Sequence, residues 1–197
     1  DIGTHAGFEL NGNITDIKTD TVRGNNAFNS FEIFNVETGK IVNLYLPKNT
    51  ENLLNLVHNQ RSDINGVLNS IKNGEIAGNV YFLNPHGIIV GSEGRVNVGS
   101  LTAVTPTPDF MNSIFSYPNN PSSTAVDAIM SGSLPIDSNG LISISGKVNA
   151  VNDIELIGGN IEINAGAKSR GEINTGADFS QLESKNEDRA NFSDVVN

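Results

Sequence analysis

Three histidines, a pair of acids late in the chain and one glycine-rich turn are the residues whose types could support chemistry. His5, His58 and His86 would suit a zinc ion or a general base. None has a second His or an acid three or four residues away on a credible helix, the spacing that puts two ligands on one face. His86 sits inside Asn84-Pro-His-Gly87 and reads as a tolerated turn residue. Asp137-Ser-Asn-Gly140 opens like a calcium loop but lacks the downstream glutamate, so it reads as a turn. Glu155 and Glu162 are expected to face outward from neighbouring coils. Two such acids can form a catalytic pair or hold a cation, but on a chain this acidic they read as a solvated face. Gly91-Ser-Glu-Gly-Arg95 resembles a phosphate cradle, yet it leads into Val96-Asn-Val98, a strand, where a cradle needs a helix N-terminus. No Gly-x-Ser-x-Gly elbow, P-loop or dinucleotide fingerprint occurs. Cysteine is absent, which removes disulfides, thiolate ligands and a thiol nucleophile. The reading is therefore of a non-enzyme with no catalytic residue, no cofactor and no metal.

The elements that carry these residues are short strands cut by tight turns. Between Asn79 and Val104, the pairs Val80/Phe82, Ile88/Val90, Val96/Val98 and Leu101/Ala103 each place two apolar side chains on one side of a strand. Such strands are too short to stand alone and can bury their apolar rows only by stacking coil on coil. Composition agrees. Trp is absent, Gly is abundant (20 residues) and Asn is frequent, whereas a helical protein would be rich in Ala, Leu, Glu and Lys. The net charge of -10, with only 12 Lys and Arg, argues against nucleic acid and anionic membrane surfaces as partners. No run approaches the ~18 apolar residues of a membrane helix. No signal peptide opens the chain, and Asp1 in place of Met points to a processed start.

Equivalent strands recur at solenoid spacing: Val80 to Leu101 is about 21 positions, and Ile142 to Ile161 and Ile154 to Ile173 are about 19 each. The expected organisation is one domain over residues 1–178. Residues 1–50 form a cap of antiparallel strands, 51–105 the first coils, 106–140 an excursion and 141–178 further coils. The excursion carries Pro106, Pro108, Pro118, Pro121 and Pro135, with short helices expected over 109–115 and 122–130, capped by Asp109 and by Ser122 or Ser123 and stopped at Gly132. It is expected to pack through Phe110, Met111, Ile114 and Phe115. Residues 179–197 read as the start of a following repeat region or a tail, and the pattern stopping in mid-repeat suggests a piece of a longer repetitive protein.

Three ordered segments resemble one family. Phe82-Leu-Asn-Pro-His-Gly-Ile-Ile-Val-Gly with Gly94-Arg-Val-Asn-Val-Gly-Ser-Leu101 resembles the Asn-Pro-Asn-Gly region of the secretion domain of two-partner secretion exoproteins, the filamentous haemagglutinin family. Asn25-Asn-Ala-Phe-Asn-Ser-Phe-Glu-Ile-Phe-Asn-Val36 resembles its early Asn-x-Phe-x-x-Phe-x-x-Phe-x-Val segment, and 65–78 its Asp/Asn-Gly-x-Ile coil. The proline-rich later part is similar to a large adhesin-type branch. His86 replaces the second Asn of the motif, and no copy of the family's Asn-Pro-Asn-Leu motif is evident.

The resemblance implies an all-β fold, a right-handed parallel β-helix with an N-terminal β cap and a partly helical excursion near 106–140. It also implies secretion through the periplasm to the bacterial surface by a cognate outer-membrane β-barrel transporter with periplasmic domains, and a role in adhesion, biofilm formation or virulence. Cysteine's absence suits a chain that crosses an oxidising compartment unfolded. Asn84, Pro85, His86 and Gly87, with Asn25, Phe28 and Phe31, are the implied recognition and folding elements. Two other classes compete. A module binding a polysaccharide or host receptor through the excursion would expose Phe115 and Tyr117. A pectate-lyase-like enzyme would gather acids with Arg95 or Arg170 on one outward face.

Overall fold

The computed structural model describes residues 4–7, 12–117, 120–164 and 166–175, with side chains over 12–115, 120–164 and 166–168. In chain order the elements are β1 (Thr4–Gly7), β2 (Ile14–Thr19), β3 (Val22–Arg23), β4 (Asn26–Phe31), β5 (Ile41–Tyr45), β6 (Asn52–Val57), β7 (Ser62–Ile64) and β8 (Val67–Lys72). Then come β9 (Glu75–Ile76), β10 (Asn79–Leu83), β11 (Ile88–Val90), β12 (Arg95–Val98), β13 (Ser100–Val104), α1 (Pro108–Ser113), β14 (Phe115–Tyr117), β15 (Asn120–Pro121) and α2 (Ser123–Met130). Last are β16 (Leu141–Ile144), β17 (Lys147–Ile157), β18 (Asn160–Ile163) and β19 (Lys168–Thr175).

The fold is mostly β, built on a large and a small parallel sheet. In the large sheet β2, β5, β8, β12 and the first half of β17 stack in parallel register as one wall. A second wall stacks β4, β6, β10, β13 and the second half of β17. The 11-residue β17 belongs to both, so the sheet curls on itself. The small sheet, β7, β11, β16 and β18, makes a third wall. The chain visits the walls in turn, with a bend at each change of wall.

Register follows from side-chain alternation, because a slip of one residue would send every apolar side chain to the wrong face. Val80 pairs with Leu101, Ile142 with Ile161 and Ile154 with Ile173, as the spacing predicts. The apolar pairs of the Asn79–Val104 stretch all point into one interior core shared by the three walls. Each fully buried aliphatic or Phe side chain there stabilises by about 1.5–3 kcal/mol.

Among the described residues, antiparallel pairing in the N-terminal region is confined to β1 on β2 and β3 on β4. The expectation of an antiparallel cap needs correcting beyond that, because β2 and β5 pair in parallel, as do β4 and β6. Alternation in a sequence reports which face is buried and says nothing of a neighbour's direction. Phe28 and Phe31 lie on a strand despite their helix-like spacing.

Between β13 and β16 the chain leaves the walls. Its helices α1 and α2 are capped by Thr107 and Ser122, whose side chains accept from Phe110 N and Ala125 N. Thr107 therefore takes the capping place expected of Asp109, which sits in the first turn beside Pro108. Gly132, at φ 68°, ends the second helix. Met111, Ile114, Ala125, Val126 and Ile129 form a second core with Phe28, Leu54, Leu56, Leu83, Val104 and Ile157 on the outward face of the second wall. Strand β6 is consequently buried on both faces. The segment expected as a tail, 179–197, lies outside the described residues.

Candidate recognition site

The Asn84-Pro85-His86-Gly87 corner joins β10 on the second wall to β11 on the third. Asn84 is fully buried, and every polar atom of it is engaged. Its Oδ1 accepts from the His86 N–H at 2.9 Å, and its carbonyl accepts from the Gly87 N–H at 3.2 Å, which closes the turn. Its Nδ2 donates to the Gln60 carbonyl at 2.8 Å and to Ser62 Oγ at 3.0 Å in the coil before. Its backbone N–H donates to the Val104 carbonyl in the coil after, at 3.0 Å. One side chain and its peptide thus tie three coils together. Gly87 is required twice over: φ is 110°, and a Cβ would lie 2.9 Å from the Leu141 carbonyl oxygen.

Pro85 and Gly87 are buried as well, and His86 is the one exposed residue of the four. Its Nε2 lies 2.9 Å from the His58 carbonyl oxygen, which can only accept, so that nitrogen carries the proton. His58 in turn places Nε2 3.0 Å from Ser30 Oγ, and burial pushes its pKa below the usual imidazole value.

The other expected recognition residues divide between two ends of the second wall. Phe31 ends β4 in register with Val57, two coils below Asn84 on the same edge, with its ring 4.9 Å from that of Phe34. Phe34 continues to Phe82 at 5.2 Å. Asn25 lies at the opposite end of these strands, where its carbonyl accepts from the Glu51 and Asn52 N–H groups. Phe28 points the other way, into the second core, edge-on to Phe115 at 6.1 Å. The seven residues therefore do not form one patch. Ser62 and Gln60, which hold the corner, escaped the sequence reading, and His58, read there only as a possible zinc ligand or base, was not connected with it. The available signal was their position about one coil, 22 to 28 residues, upstream of their partners in the motif.

Also missed were two amide ladders. Asn43 donates to Asp16, Asn69 to Asn43, Asn97 to Asn69 and Asn149 to Asn97, all at 2.8–2.9 Å and all toward the cap. Asn52 and Asn79 continue the same pattern from Asn26 on the second wall. A recurring apolar-Asn-small or apolar triplet, as in Val96-Asn-Val98 and Val148-Asn-Ala150, was the signal.

The chemistry-bearing candidates stay apart. Glu155 and Glu162, expected on outward positions of neighbouring coils, stand on different walls, in register with Thr102 and Ser143 respectively. Parallel stacking aligns residues of the same wall, and seven positions carry the chain round a bend. Burial, and then the Glu155 carboxylate, raise the Tyr81 pKa. Among the described residues no three His, Asp or Glu side chains converge to hold a metal, and no helix is long and apolar enough to cross a membrane. The side chains of His5, Tyr117 and Arg170 lie outside the described residues.

A family model, the TPS secretion domain, matches residues 3–194. The chain belongs to this family. No curated protein matches it. TPS secretion domains are non-catalytic targeting domains of two-partner secretion exoproteins, which are secreted across the outer membrane. They are recognised by an outer-membrane transporter.

Within this TPS domain the excursion departs from the same bend one coil later. The Thr105 N–H donates to Ile157 O just as that of Asn84 donates to Val104 O. The chain returns through Asp137-Ser-Asn-Gly140, where the Asp137 N–H donates to Thr105 O and Asp137 Oδ1 accepts from the Asn139 N–H. This turn repeats the hydrogen bonding of the Asn84 corner, with Gly140 N–H donating to Asp137 O.

Proposed function

We propose that this TPS domain is the N-terminal address and folding nucleus of a large adhesin-type surface exoprotein. The periplasmic domains of a cognate β-barrel transporter read it before it folds, and it then folds at the cell surface as a right-handed parallel β-helix. The three parallel walls support the β-helix reading, and the right-handed rule for parallel crossovers supplies the hand. The observation that carries the address is the burial of Asn84, Pro85 and Gly87. A partner can contact these residues only while the chain is open, and folding withdraws them from it.

Recognition and release then share one set of atoms. The carboxamide of Asn84 is free to meet a partner until Gln60, Ser62 and His86 claim it, and its backbone N–H until the Val104 carbonyl does. Each coil that forms outside buries apolar surface worth about 25 cal/mol per Å2 and opposes back-sliding. No nucleotide is needed for that drive.

The test is secretion by the cognate transporter, measured beside the stability of the purified domain, for Asn84→Ala with Pro85→Ala and for Leu54→Ala. Leu54 is fully buried in the second core, away from the corner, and serves as the control for lost stability. The corner variant is expected to lose secretion while Leu54→Ala, at comparable stability, retains it. Equal loss in both would assign the corner to folding alone, and unchanged secretion with unchanged stability would remove the addressing role. A glycan or receptor module centred on the excursion finds less support, because Phe115 packs against Phe28.

A further inference from the structure

On the outer face of the first wall, Arg95, Lys147 and Lys168 are aligned in direct register on three successive strands. Their backbone N–H groups donate to Gly66, Gly94 and Gly146, which fixes the three Cα atoms in a column along the stacking axis. Val96, Val98, Val148 and Ala150 point inward, so Arg95, Asn97, Lys147 and Asn149 point outward. Strand spacing sets the Cα atoms of the three cations about 4.8 Å apart, and like charges directly opposite one another destabilise a sheet. None of the three has an acidic partner among the described residues. The nearest acid in sequence, Glu93, accepts from Thr38 Oγ1 at 3.0 Å. Toward the cap the column continues as Val67, Ile41 and Ile14, which offer no countercharge.

A chain with a net charge of -10 and only 12 cations thus stacks three of them in one line, without an acidic partner among the described residues. Like charges in register cost a sheet stability. We propose that this column is a binding track for a linear anionic polysaccharide, whose carboxylates or sulfates would follow the cations while sugar hydroxyls meet the adjacent amides of Asn97 and Asn149. The narrowness of the track selects the partner. An anionic bilayer would need a broad basic surface and would be repelled by the rest of the molecule. Single-stranded nucleic acid would need aromatic platforms beside the cations, and the column and its neighbouring row supply amides instead. The track lies on a different wall from the excursion and does not depend on the transporter-recognition reading.

Isothermal titration of the full 197-residue chain with an oligouronate, a sulfated oligosaccharide, neutral dextran and a single-stranded oligonucleotide tests the proposal. The first two arms distinguish carboxylate from sulfate. Binding to at least one anionic glycan, weakened by salt, is expected, with no binding to dextran. The Arg95→Gln, Lys147→Gln, Lys168→Gln triple variant should lose about tenfold or more in affinity, and the charge-matched Lys18→Gln, Lys48→Gln, Lys72→Gln variant should lose little. Thermal unfolding of both variants checks that each is folded. Equal losses in the two triples, no binding to either anionic glycan, or tighter binding to the oligonucleotide would each overturn it.

Discussion

At the scale of single residues the corner rests on Asn84. Removing its carboxamide leaves the buried Ser62 Oγ, and the half-buried Gln60 carbonyl and His86 N–H, short of a partner. Asn84→Ala should therefore cost about 2–4 kcal/mol in urea unfolding, whereas His86→Ala, at an exposed position, should cost under about 1 kcal/mol. A cost for His86→Ala as large as for Asn84→Ala would show that the His86–His58 contact, and not Asn84, holds the bend. His58 adds a pH dependence with a definite sign. Burial lowers its folded-state pKa below 6.5, so the folded protein binds fewer protons there than the unfolded chain. Its contribution to stability is present above pH 6.5 and is lost as pH falls through the folded pKa. The urea midpoint should decline on going below pH 6.5, and His58→Gln should flatten that decline. An identical pH profile in the variant would place the titrating group elsewhere.

At the scale of elements, the ladders and the excursion do different work. Asn69 both donates to Asn43 and accepts from Asn97, so Asn69→Ala breaks two rungs and should cost about 1–2 kcal/mol in thermal or urea unfolding. Replacement of Asn97, its neighbour in the same ladder, should cost a similar amount, and the double variant should cost less than the two added together because they share a rung. Strict additivity would mean that the shared hydrogen bond contributes nothing. The excursion covers Leu54, Leu56 and Leu83, and Leu54→Ala should lose about 2–5 kcal/mol through transfer and cavity terms. A loss below about 1 kcal/mol would mean that the helices sit loosely on the wall.

Sequence spacing made part of these elements legible. Val80, Ile142 and Ile154 found their partners because apolar pairs two apart recur at nearly constant distance and one register alone buries them. The direction of β5 and β6 relative to their neighbours was not legible, because nothing in alternation encodes it. Leu54, Leu56 and Leu83 announced no second core, since an apolar residue facing outward is recognised only once its cover is placed. The ladder through Asn43, Asn69, Asn97 and Asn149 was hidden by the excursion, which stretches one step of an otherwise 26–28-residue spacing to 52. The burial of Asn84 was hidden for a related reason: an Asn-Pro-x-Gly turn is ordinarily a surface feature, and only the coils stacked on either side enclose it.

At the scale of the whole molecule, stability accrues coil by coil through contacts between residues about one coil apart in sequence, and each coil is incomplete until the next covers it. Such a molecule has a natural order of assembly and a natural means of hiding a signal: the corner is open in the emerging chain and closed in the finished stack. On the proposed function, the partner reads the open form. The direct measurement is the affinity of the cognate transporter's isolated periplasmic domains for this chain, compared between the folded domain and the same domain held open by Gly87→Val, which the positive φ and the Leu141 carbonyl should exclude from the native turn. Tight binding to the open chain, weak binding to the folded one, and loss of binding to the open chain when Asn84 and Pro85 are replaced are the results expected on that reading. Equal binding to folded and open forms, unaffected by those replacements, would contradict it.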